Sequence, residues 1–283
     1  MRVTFEHLGN YGNVFFQYAY MRKVADEYGY KPVLPEWDLA SWHLCYPVFF
    51  EEFIALRDQY EVKDARVLNE YSYSDKNHNL YLSDSDNIGK ENIRLQGYFQ
   101  DWELYKDVDQ IKSYFNIPDV EPNKDDLLLS LRINRDFNGD GSSTCMITDP
   151  QVLVKLVDEI IGNYNGLTII SDVHNHHVFD MFKRFAPKVV CRDGRLPNDD
   201  FRDILSYENI IIPCSTFTWW GCYLGHCKNV YMPNSFGTMG VPGMNKGIQA
   251  HNLPDIKLLN IPGKNVNLYN APFRDINTVN EAT

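Results

Sequence analysis

The residue types in this chain that can handle a charged, hydroxyl-rich ligand fall in four short segments, each just after an apolar run. In SLRINRDFN (130–138), Arg132 closely follows the run DLLLSL. An arginine fork is a natural bidentate partner for a diphosphate, or for a carboxylate in an interdomain ion pair. Arg135 and Asp136 lie just beyond. In LTIISD (167–172), Ser171 and Asp172 end another apolar run, where a carboxylate accepts hydrogen bonds from ribose hydroxyls or a guanine edge. In CSTFTWWGCYLG (214–225), Ser215 and Thr216 stand immediately before a helical pattern. Their hydroxyls, with the first-turn amides of Thr216, Phe217 and Thr218, form an anion site favoured by the positive helix end. In GNYGNVFFQYA (9–19), Gly9 and Gly12 permit tight backbone. Asn13 stands where a helix begins, placed to cap it or to present its amide to a ligand.

Two other patterns invite a metal reading. His174, His176 and His177 are spaced i, i+2, i+3, which is no zinc ligand set and fits the solvated start of a helix. Asp84 and Asp86, in SDSDNIGKEN, resemble an acidic triplet that holds a divalent ion under a nucleotide diphosphate, but no strand precedes them. No metal and no cofactor is therefore expected. The six cysteines contain no CxxC pair, and MRVTFEHLGN lacks the pattern of a secretion signal, so the thiols read as reduced. With 38 acidic against 27 basic residues, the net charge of -11 repels nucleic acid and anionic lipid. No apolar run approaches the roughly 20 residues that cross a bilayer. The expectation is a cytoplasmic protein of bacterial or viral setting, with no nucleic-acid partner.

The elements that must position these groups alternate regularly in the second half. Strand candidates at 126–133, 167–171, 188–191, 209–213 and 229–233 are separated by helical patterns at 150–164, 176–185, 198–207 and 218–225. Short, continuously apolar strands between helices imply a doubly wound parallel sheet. The first half opens alike, with a strand at 3–8, a helix over 13–29 ending at Gly29, and a strand at 31–35. The segment IPDVEPNKDD reads as a linker, giving an N-terminal α/β domain over 1–120 and a second domain over 121–236. Residues 237–283, rich in Asn, Gly and Pro, read as loops packed on the body. Two such domains would face each other across a cleft, with ligands just beyond the strand ends.

Taken together and in order, the four segments resemble the alpha-1,2-fucosyltransferase family. GNYGNVFFQYA is similar to that family's GxLGNQMFQYA, LQGYFQDWELY (95–105) to its GYFQ segment, IISD to FSDD, and CSTFTWWGCYLG to NSSFSWWGAWL. The family's HxRRGD appears as SLRINRDF, with Ser130 at the histidine and Ile133 at the second arginine, a form nearer the HLRxGxDW of protein O-fucosyltransferases. Val173 replaces the second Asp of FSDD. The resemblance implies two Rossmann-like domains of GT-B type and metal-free, inverting transfer of fucose from GDP-fucose to a glycan hydroxyl. It also implies a nucleotide-sugar site at Gly12, Asn13, Arg132, Ser171, Asp172, Ser215, Thr216 and Phe217. Arg132 and the helix-end amides would neutralise the departing GDP. For the base, Asp136 comes first, with His7 and Glu6 as alternatives, and Asn13 would reach donor or acceptor. The three departures leave open a different nucleotide sugar, or an inactive relative that binds nucleotide or glycan.

Overall fold

Apolar strands and the helices between them build two all-parallel sheets in the computed structural model, which describes residues 1–7, 11–35, 65–69, 91–131, 149–171, 177–191, 197–212, 215–234 and 258–270. The chain divides into two compact units between Pro118 and Asp119. Both units are of the α/β class.

In the first unit, β1 (Arg2–Phe5), β2 (Lys31–Pro32), β3 (Arg66–Asn69) and β4 (Ile93–Gln96) form a sheet in the order β2-β1-β4-β3. Helix α1 (Tyr11–Tyr28) buries Phe16, Tyr18, Ala19 and Met21 completely. It starts two residues before the sequence pattern does and stops where the pattern stops. Gly29 adopts φ +68, and the Tyr30 N–H donates to the Ala25 carbonyl at 3.0 Å. That pair of features is the Schellman ending, which only a residue at ease with positive φ closes cheaply. After β4, a 3-10 turn (Trp102–Tyr105) capped by Asp101 leads into α2 (Val108–Lys112), capped by Asp107.

In the second unit, β5 (Asn123–Leu131), β6 (Leu167–Ser171), β7 (Lys188–Cys191), β8 (Tyr207–Ile211), β9 (Asn229–Pro233) and β10 (Asn265–Tyr269) lie in the order β10-β9-β8-β5-β6-β7. Read from β7, this is the 3-2-1-4-5-6 order of a Rossmann sheet. Helix α3 (Pro150–Ile160) begins with Pro150 behind the Asp149 cap, as fixed φ and a missing N–H favour. It packs with Val178 and Phe182 onto Leu127, Leu129, Leu131, Leu167 and Ile169, forming the core on one face. Helices α4 (Pro197–Ser206) and α5 (Thr216–Leu224) complete the unit.

Several element ends differ from the sequence pattern by a few residues, β5 beginning at Asn123 inside the segment read as linker and β8 at Tyr207 rather than at 209, and two elements differ in kind. Residues His177–Phe185 form a 3-10 helix rather than an α-helix. Phe179, Phe182 and Phe185 recur every third residue toward the core, and Asp180 pairs with Lys183 at 2.7 Å, spacings that three residues per turn bring into line. The second difference is β10, a sixth strand in a stretch whose asparagines read as loop. Its Asn265 aligns with Asn229 of β9, which aligns with Asn209 of β8. The three side-chain amides bond in series, Asn265 Nδ2 to Asn229 Oδ1 at 3.0 Å and Asn229 Nδ2 to Asn209 Oδ1 at 2.8 Å. Mutual bonding satisfies the polar groups that otherwise disfavour Asn in strands.

Candidate functional site

In the second unit, β5 and β8 are adjacent, yet the chain leaves β5 toward β6 and leaves β8 toward β9 on the other side. Strand order reverses there, and the carboxyl ends of such a pair are where open α/β sheets take ligands. The two apolar runs that close on Leu131 and Ile211 end at this point.

Alternation along β5 places Ser130 on the face opposite Leu129 and Leu131. Its hydroxyl meets Thr218 Oγ1 of α5 at 2.6 Å, and both residues are buried. Thr218 N–H in turn donates to Ser215 Oγ at 3.2 Å, so Ser215 is the N-cap of α5 and the Thr218 amide, read from the sequence as part of the anion site, is engaged by the cap. With one lone pair of this hydroxyl engaged by the helix, Ser215 keeps its proton and a second lone pair for a ligand. Thr216 and Phe217 follow in the first turn of α5, where no N–H has an acceptor four residues back in the helix. The ring of Phe217 packs on Phe201 of α4, with centroids 5.0 Å apart, which leaves its backbone as the polar part. Ser171, fully buried, ends β6 in register with Leu131 and Cys191. Ser130, Ser171, Ser215 and Thr218 therefore share one carboxyl edge. Arg132, Asp136, Asp172, Gly9, His174, His176, Asp84 and Asp86 lie outside the described residues. Among the described residues, no three His, Cys, Asp or Glu side chains are grouped as metal ligands. No described helix is long and apolar enough to cross a membrane.

Trp219 and Trp220 are completely buried, with Trp219 stacked on Tyr223 at 5.3 Å and its indole N–H donating to the Asn260 carbonyl at 3.1 Å. They anchor α5 by packing. Cys222 and Cys227 are free, buried thiols.

The first unit gathers polar groups at the carboxyl ends of β1 and β4. Glu6 Oε2 accepts from Gln96 Nε2 at 2.6 Å, and the Glu6 N–H donates to the Leu95 carbonyl at 2.7 Å. One residue on, burial pushes the His7 imidazole below its ordinary value, so it is neutral at pH 7. Asn13 corrects the capping reading. Because α1 starts at Tyr11, Asn13 and the buried Gly12 lie inside its first turn. Gly12 is thus part of the helix rather than of a glycine turn before it. The Asn13 side chain accepts a hydrogen bond from Gln100 Nε2 at 2.7 Å. Gln17, completely buried, donates to the Gly97 carbonyl at 2.9 Å. Two sequence segments that resemble one family separately, GNYGNVFFQYA and GYFQ, are thus two sides of one contact.

Gln100 was not among the site residues read from the sequence, and Thr218 entered that reading only by its backbone amide, not by the hydroxyl that meets Ser130. Thr218 is visible in the sequence as the third residue after the Ser215 cap, the position such a cap bonds. Gln100 is the last residue of the GYFQ segment, but nothing local marks its partner, 87 residues away.

No protein-family model and no curated protein matches this chain. Solved structures similar to it include a mutant of Arabidopsis thaliana FUT1 in complex with GDP, at 11% identity and TM-score 0.49 over 82% of this chain and 70% of that one. Another is the fucosyltransferase NodZ from Bradyrhizobium, at 13% identity and TM-score 0.47 over 79% and 93%. A third is POFUT1 in complex with GDP-fucose, at 11% identity and TM-score 0.48 over 80% and 95%.

Proposed function

We propose that this protein is a glycosyltransferase that moves a sugar, with L-fucose from GDP-fucose the leading assignment, to a hydroxyl of a glycan acceptor, with inversion and without a metal ion. The observation that carries the reading is the hydroxyl-lined edge at the β5/β8 reversal, where Ser130, Thr218 and Ser215 are bonded in series at the start of α5. Arg132, the next residue after β5, supplies the cation in this reading. A leaving nucleoside diphosphate gains negative charge as the sugar departs. Fixed N–H and O–H donors and a guanidinium stabilise that charge in place of magnesium, by about 3 kcal/mol for each well-placed donor.

The sugar becomes strongly cationic in such a transition state, so proton loss from the acceptor can come late and a weak base suffices. Asp136 is the first assignment for that base. In the first unit, His7 is neutral and able to accept a proton, while Glu6 is already bonded to Gln96. Asn13 is assigned to the sugar or the acceptor.

The second reading is an active transferase of another nucleotide sugar, or a binding protein without turnover, favoured by Ser130, Ile133 and Val173 at family positions of different chemistry. A panel of GDP-fucose, other GDP-sugars and UDP-sugars, with mass analysis of released or transferred sugar, separates these readings. GDP at a hundred times its Kd should stabilise the protein by about 2.7 kcal/mol. Arg132→Ala should abolish turnover while leaving the thermal transition of the free protein in place, and EDTA should leave turnover intact. Absence of any thermal shift at millimolar GDP sinks the donor assignment.

A further inference from the structure

The end of β5 and the start of α5 are tied by side chains rather than by a backbone ladder. Pairing between β5 and β8 runs as far as Leu129 and Ile211, after which the chain leaves β8 for α5. One residue past Leu129, Ser130 Oγ lies 2.6 Å from Thr218 Oγ1 in the first turn of α5, and the Thr218 N–H donates to Ser215 Oγ at 3.2 Å. Thr218 thus engages the strand with its hydroxyl and the cap with its amide. Both members of the hydroxyl pair are buried, Thr218 to 1% exposure and Ser130 to 8%. The rest of α5 is anchored by burial, with Trp219, Trp220, Cys222 and Tyr223 completely covered. A hydrogen bond between two buried neutral hydroxyls adds little net stability, because both give up water to form it. What it adds that apolar packing does not is a fixed length and direction. Here the constraint falls between two pieces of chain that carry polar groups suited to an anion. Ser215 keeps a hydroxyl proton for a ligand, and Arg132 follows β5 by one residue.

We propose that Thr218 is a positioning residue for a nucleoside diphosphate: its hydroxyl, bonded to Ser130, holds the first turn of α5 and the Ser215 cap at a fixed offset from the strand end that leads into Arg132, so that both grip one diphosphate. This rests on the transferase reading of the β5/β8 edge. The groups concerned all belong to the second unit.

Three variants test the role, with GDP and guanosine binding followed by calorimetry and folding by thermal unfolding. Thr218→Val keeps the outline of the side chain and removes its hydroxyl. Ser130→Ala combined with Thr218→Val removes both partners, so that neither hydroxyl is left buried without the other. Thr218→Ser keeps the bond. The double variant should unfold near the wild-type temperature yet bind GDP about tenfold more weakly, the worth of roughly one hydrogen bond to a charged group, while guanosine, which has no phosphate, changes by less than about twofold. Thr218→Val alone should show the same preferential loss, and Thr218→Ser should bind GDP as the wild type does. Wild-type GDP affinity in the folded double variant would show the pair to be packing only and would overturn the proposal. An equal loss for GDP and guanosine would also overturn it. If the wild-type protein itself binds no GDP, the donor assignment fails and the positioning role falls with it.

Discussion

His7 stands two residues past β1, and burial disfavours its charged form. The unfolded chain would take up a proton near the ordinary histidine pKa of about 6.5, whereas the folded protein does so only at lower pH. Between those two values the unfolded state holds more protons, so stability is fully present above about pH 6.5 and is lost as pH falls toward the folded pKa. Replacing the imidazole should remove this dependence. In His7→Gln, the thermal midpoint measured from pH 7 to pH 5 should fall less steeply than in the wild type. Parallel slopes would show that other groups govern the acid limb. The residue scale also explains why Asn13 does not cap α1 whereas Ser215 caps α5. Both are capping types ahead of apolar runs, but Tyr11 and Gly12 accept helical geometry, so α1 starts earlier and Asn13 turns to Gln100.

Helices α4 and α5 approach closely because two glycines of α5 and its C-cap let them. A Cβ on Gly221 would overlap Ile204 Cγ2, and one on Gly225 would lie 2.5 Å from the Leu205 carbonyl oxygen. Alanine in place of a helical glycine gains up to about 1 kcal/mol in propensity, whereas forcing volume against a stiff β-branched side chain costs about 1–3 kcal/mol. The overlap wins. Gly221→Ala should destabilise the protein by about 1 kcal/mol in chemical denaturation, and Ile204→Ala should cost less in that background than in wild type. A stabilised Gly221→Ala would show that α5 can shift. Because the first turn of α5 carries Ser215, Thr216 and Phe217, this packing also sets where the proposed phosphate site lies along the edge of β8.

At the scale of the molecule, β10 and the chain leading into it belong to the second unit rather than decorating it. Leu258 and Ile261 are completely buried, Asn260 receives the Trp219 indole, and β10 pairs with β9 over five residues. A chain ended after Asn234 loses both aliphatic side chains, and comparable losses cost about 2–5 kcal/mol each. Its thermal transition by circular dichroism should drop by more than ten degrees, by roughly the measure expected for several kcal/mol, or lose cooperativity. An unchanged transition would mean that β9 closes the sheet unaided.

Strand positions, helix ends and the α/β class were legible because they are written in local patterns. The runs LTIIS, KVVC and NVYMP coincide with β6, β7 and β9, and Gly29 marks the end of α1. The apolar runs LTIIS and NIIIP, which lie in or overlap β6 and β8, already told that both faces of the sheet are covered. Which strand lies beside which was settled only in three dimensions. A period of 2 or 3.6 tells which face of an element is buried, but not what is buried against it. The Ser130–Thr218 and Asn13–Gln100 pairs span 88 and 87 residues, and they exist because β8 lies beside β5 and β4 beside β1.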